Sequence, residues 1–128
     1  MEPAEDARQA APRGAAKYTR VATEEGRPAC CPKYHQAIEL IGRRWTGAIV
    51  SVLLRRGALR FCEIAEAVPE LSDRLLSERM KELERHGVVV RTERPGRPVR
   101  VEYELTEMGR ALAPAVYELE RWARRWLA

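Results

Sequence analysis

Residues 59–105 constrain this 128-residue chain more than any other stretch. They read LRFCEIAEAVPELSDRLLSERMKELERHGVVVRTERPGRPVRVEYEL. Leu59-Arg60-Phe61 is long enough only for an edge strand. Phe61, Ile64, Ala65 and Val68 recur at helical spacing and predict a short helix, which Pro69-Glu70-Leu71 ends in a turn. Ser72 suits a helix N-cap, and Asp73 suits the positive end of the helix that follows. That longer helix, residues 72–86, turns Leu75, Leu76, Met80 and Leu83 inward. It turns Arg74, Ser77, Glu78, Lys81 and Arg85 outward, and His86-Gly87 ends it. Val88, Val89 and Val90 predict a buried strand. Pro95-Gly96-Arg97-Pro98 predicts a turn. Val99, Val101, Tyr103 and Leu105 then alternate with Arg100, Glu102 and Glu104, the period of a half-buried strand.

A short helix, a tight turn, a longer helix and a hairpin with a basic tip make up the winged form of the helix-turn-helix. The expected fold is therefore mainly α with a small β wing, and the expected partner is double-stranded DNA. In such a module the N-terminal residues of the second helix face the major groove. Here those are Ser72, Asp73, Arg74 and Ser77, with Glu78 and Lys81 one turn on. Arg74 is the expected base reader, because its planar fork matches guanine. Ser72 and Ser77 are short donors for phosphate or base, and Asp73 either meets cytosine or stabilises the helix start. Arg79 is equally readable as a structural arginine paired with Glu82 or with an acid on the preceding helix.

The remainder of the chain frames this module. Apolar residues make up 45% of the sequence, enough for the core of one domain. No apolar run approaches 18 residues, so no membrane span is expected, and the N-terminus lacks the apolar segment of a secretory signal. A cytoplasmic protein is expected. Residues 1–28, rich in Ala, Pro, Gly and charge, read as a flexible arm, and residues 29–128 as the folded domain. Pro32 suits the first turn of a helix carrying Tyr34, Ala37, Ile38 and Ile41, which stops at Gly42. A second helix begins near Trp45 and runs through Ile49, Val50, Val52, Leu53 and Leu54 to Arg55-Arg56-Gly57. Thr106 caps a last helix with Met108, Leu112, Ala115, Val116, Leu119, Trp122, Ala123 and Trp126 on one stripe, and Pro114 should kink or divide it. Two tryptophans near the end of so small a domain point to a subunit interface.

The net charge is +4, and residues 1–27 add nothing to it, with five acids against five bases. Residues 91–100 hold Arg91, Arg94, Arg97 and Arg100 against Glu93 alone. The wing arginines Arg94, Arg97 and Arg100 should meet the phosphate backbone or the minor groove, with Arg43 and Arg44 reaching phosphate as well. Trp45, at the start of an apolar helix, reads as core. Three cysteines, Cys30 and Cys31 adjacent, form no secreted disulfide framework. Cys31 lies at a predicted helix N-terminus, whose positive end raises thiol reactivity, while Cys62 reads as a small buried apolar residue. The spacing of Cys30, Cys31, His35 and Cys62 matches no zinc pattern, so no metal is expected. No phosphate loop, nucleophile elbow or HExxH helix occurs, so neither catalysis nor a cofactor is expected.

Several segments together resemble the HxlR-type winged helix-turn-helix regulators. They are Cys31-Pro32, then Ala37 through Trp45 (AIELIGRRW), then Arg60-Phe61-x-Glu63-Ile64 and Leu71-Ser72. Leu76-Ser77-x-Arg79-Met80-Lys81-Glu82-Leu83 and Val101-Glu102-Tyr103-x-Leu105-Thr106-x-x-Gly109 continue the pattern in order. The likeness covers about residues 31–126. It implies a homodimeric bacterial DNA-binding regulator, a repressor by expectation, with N- and C-terminal dimerisation helices. Tyr34, Ile38, Leu112, Val116, Leu119, Trp122 and Trp126 would line that interface. It also implies a response to thiol oxidants, electrophiles or a small ligand, with Cys31 at the matching sensor position. Cys30 and Cys62 depart from the family's usual residues. The competing reading is a protein-interaction module that keeps the winged fold without binding DNA.

Overall fold

Pro32 opens the first helix, where its missing N–H is not needed. In the computed structural model, which describes residues 31–128, α1 spans Pro32–Ile41 and ends on Gly42, whose N–H donates to Ile38 O. The expected arm at 1–28 and Cys30 lie outside the described residues. The chain divides after Arg44 into two units. In the first, Tyr34 and Ile38 of α1 are exposed.

The second unit begins at Trp45, which caps α2 (Thr46–Arg56) in a left-handed conformation at φ 76°. That conformation is costly for a bulky residue. Trp45 is half-buried rather than a full core residue, because it sits outside the helix whose inner face it was expected to share. The apolar run of α2 buries Ile49, Val50 and Leu53. Gly57, at φ 80°, turns the chain out into β1 (Leu59–Arg60). Next come α3 (Phe61–Ala67) and α4 (Asp73–Arg85), the predicted short and long helices. Glu63 accepts the Arg60 N–H at 2.8 Å and closes the start of α3.

β2 (Val89–Arg94) and β3 (Arg100–Leu105) form the wing. The sheet order is β1-β3-β2, antiparallel throughout, with Leu59 opposite Tyr103, Val89 opposite Leu105 and Arg94 opposite Arg100. Ile49, Ile64, Leu76, Met80, Leu83, Val88, Val89 and Leu105 make the core where α2, α3 and α4 meet the base of this sheet. Burying each large aliphatic side chain contributes about 1.5–3 kcal/mol.

Three local expectations need correction. Val90 is exposed, because the body covers the sheet only at its base and Val90 faces the side opposite Val89. Val99 is exposed and lies outside β3, in the tip turn beyond any covering element. Cys62 is exposed, not buried. Ile64 takes the core face of α3, and a residue two positions earlier lies about 200° round the helix.

Pro114 divides the last helix, as its lost donor and ring clash require. α5 spans Glu107–Arg110, and α6 spans Ala113–Trp126 with the proline in its first turn. Thr106 caps α5: its Oγ1 accepts the Gly109 N–H at 3.1 Å and donates to Gly87 O at 2.5 Å. No residue of α6 is buried. The helix is held instead by Glu120, which takes two hydrogen bonds from the Arg55 guanidinium of α2 and one from Ser51 Oγ at 3.0 Å. Arg55 also lies 5.1 Å from the Tyr117 ring centroid.

Candidate nucleic-acid interface

The N-terminus of α4 is built by a hydroxyl. Ser72 Oγ accepts the Leu75 N–H at 3.2 Å, and Asp73 stands in the positive first turn. The inward face of α4 is closed by Leu76, Met80 and Leu83. That leaves Ser72, Asp73, Arg74, Glu78 and Lys81 exposed and Ser77 half-buried on the opposite side. The Arg74 side chain is 91% exposed and touches Glu78 at 3.6 Å. A pair so open contributes little, so the guanidinium is available to a ligand at small cost. Arg79 resolves the other way. It is 8% exposed and lies 3.6 Å from Glu82, a structural arginine facing the body.

The wing pairs three of its four arginines with acids. Arg91 meets Glu93 at 3.4 Å. Arg94 Nε donates to Glu102 at 3.1 Å, and its terminal nitrogen lies 3.8 Å from Glu104. Arg100 lies 3.8 Å from the other oxygen of Glu102. Arg97, at the tip, takes part in no ion pair among the described residues. Arg60, Arg94, Arg97 and Arg100 line an open cavity of about 580 Å³ between β1 and the wing, with Glu102 on its wall. The basic tip expected from the sequence is thus a lattice of alternating charge. The acids themselves stand in the sequence, with Glu102 and Glu104 on the same strand face as Arg100, but nothing local names the arginine that each meets. Arg60, also absent from the expected contacts, enters through the pairing of β1 with β3.

Other expected residues fall elsewhere. Arg44 is exposed in the bend after α1. Cys31 is half-buried and is the N-cap of α1. Of the proposed interface residues on the last helix, Leu119, Trp122 and Trp126 are exposed, while Leu112 and Val116 are half-buried. The contact of Glu120 with Ser51 and Arg55 was not foreseen. Its only sequence signal is an acid and a base on two amphipathic helices, which names no pairing. Arg55 hydrogen bonds hold the Glu120 carboxyl below the usual carboxylate range against the opposing pull of desolvation, with Ser51 adding to the effect. Glu63 is lowered as well, chiefly by the Arg60 backbone N–H. Among the described residues no group of His, Cys, Asp and Glu is placed to hold a metal ion. Nor is any helix among them long and apolar enough to cross a membrane.

Comparison with known proteins agrees with the fold. Residues 40–128 match the family model described as HxlR-like helix-turn-helix. The chain is 50% identical over 97 residues to YvaP of Bacillus subtilis, an uncharacterised HTH-type transcriptional regulator, covering 76% of this chain and 89% of that one. Its fold is similar to the reduced form of the transcriptional regulator YodB from B. subtilis. The TM-score is 0.70 and the identity 44%, over 77% of this chain and 95% of that one. It is also similar to the redox regulator HypR in its oxidised form, with a TM-score of 0.68 and 32% identity over 73% and 95% of the two chains.

Proposed function

The chain belongs to the HxlR-like helix-turn-helix family of transcriptional regulators, and from that membership we propose how it engages DNA and what controls it. Two copies bind a near-palindromic operator, with half-sites about one helical turn apart. Each inserts α4 into the major groove, where Arg74 reads guanine and Ser72, Asp73, Ser77, Glu78 and Lys81 adjust the fit. Arg94, Arg97 and Arg100 of the wing grip the flanking backbone, and Arg44 reaches phosphate too. The protein acts as a cytoplasmic repressor and has no enzymatic role. One observation carries this reading: the side of α4 away from the core is polar and open at the end that such modules present to bases.

The test is retention of the protein's own upstream DNA in a gel at rising salt. Salt-sensitive retention is expected from wild type, and its loss from Arg74→Ala combined with Arg97→Ala, with dimerisation intact. A wild type that ignores that DNA at low salt would sink the reading.

Cys31 is the proposed trigger. It stands at the positive end of α1 and is half-buried, and two similar structures are described by their reduced and oxidised forms. A mild thiol oxidant should alter operator retention by wild type and leave Cys31→Ser unchanged. Identical responses in retention and in non-reducing gels would clear Cys31 of the role.

A further inference from the structure

The wing holds four arginines, Arg91, Arg94, Arg97 and Arg100, and three glutamates, Glu93, Glu102 and Glu104. Glu102 differs from the other two acids. Its side chain is only 17% exposed, against 62% for Glu93 and 39% for Glu104. Both of its oxygens face arginines: one accepts Arg94 Nε at 3.1 Å, the other lies 3.8 Å from Arg100. The register explains why. Arg94 and Arg100 are directly opposite across β2 and β3, a pairing of like charges that opposes hairpin closure. Glu102, two residues along β3 and opposite Arg60 on β1, supplies the negative charge that this corner needs. The same carboxylate lies on the wall of the cavity that these arginines line.

A phosphate entering that corner meets a carboxylate already in place. Arg94 and Arg100 must share or surrender it before they can grip. Only a well-aligned phosphate, taking a charge-assisted bond from each guanidinium, offsets the disrupted pairs. A misaligned backbone does not. We infer that Glu102 is a specificity-determining residue that withholds Arg94 and Arg100 from DNA unless the wing is seated in register. The inference rests on the reading above that the wing touches the duplex.

The experiment measures binding of the full chain to two duplexes of one length, between about 50 and 200 mM salt. One duplex carries a site selected by the protein from a random pool; the other has scrambled sequence. Glu102→Gln should bind the scrambled duplex several-fold more tightly than wild type. Its salt dependence should steepen by about one to two units of slope, one per phosphate newly neutralised. The ratio of selected to scrambled affinity should fall several-fold. Glu93→Gln removes the same charge from the same wing without touching Glu102, Arg94 or Arg100, and should leave that ratio near wild type. The gain from Glu102→Gln should vanish in a background of Arg94→Ala with Arg100→Ala, which also keeps the inference testable if one variant folds poorly. If Glu93→Gln reproduces the effect, net charge alone is responsible and the inference is overturned. Unchanged or weaker scrambled binding by Glu102→Gln, while Arg97→Ala weakens binding, overturns it with the wing reading intact. If Arg97→Ala also changes nothing, the wing does not touch DNA and both readings fall.

Discussion

Gly109 has no room for a side chain. A Cβ there would sit 2.3 Å from Val88 O and 2.9 Å from a Leu105 methyl group. The backbone of α5 packs directly on the junction of α4 with the wing. Gly109→Ala should therefore destabilise the fold by about 1–3 kcal/mol, read by urea unfolding, because a rigid carbonyl cannot move aside as a side chain does. Arg74 is the opposite case. Its side chain reaches solvent, and its ion pair with Glu78 is open. Arg74→Ala should leave the urea midpoint unchanged and cost about 1–3 kcal/mol of discrimination at one base pair of the site. A loss spread evenly over all sequences would make it a phosphate contact instead.

At the scale of elements, α6 is the least secured part of the second unit. It buries no residue and is held to α2 through Glu120, Ser51 and Arg55. The Glu120 carboxyl is held below its ordinary range in the fold. Its contribution is therefore fully present above the unfolded-state value of about 4.3 and is lost as pH falls through the lower folded value. Acidification should loosen α6, while neutral and mildly alkaline pH leave it in place. Thermal unfolding across that acid range should fall more steeply for wild type than for Glu120→Gln. Parallel curves would remove this contact from the account.

At the scale of the whole molecule, the proposed pairing of two copies calls for an apolar face. Leu119 is 67% exposed, and Trp122 and Trp126 lie exposed on the same helix, which makes α6 the face that such a pairing would cover. Leu119→Glu should shift the protein toward monomer in light scattering, with its circular dichroism unchanged, since the residue lies outside the core. Operator affinity should drop with it, because two half-sites are then no longer held as one. A variant that remains dimeric and binds normally would place the interface elsewhere.

Periodicity and end signals sufficed for the order of helices and strands, the Ser72 cap, the break at Pro114 and the outward face of α4. These depend on near neighbours in the chain, whose geometry is set by 3.6-residue and two-residue repeats. Burial at Cys62, Val90 and Trp45 was misjudged, because it depends on which distant element arrives to cover a residue. The pairing of Arg55 with Glu120 and of Arg94 with Glu102 has the same origin. A charged residue names its possible partners only by sign, and folding alone sets the distance that picks one.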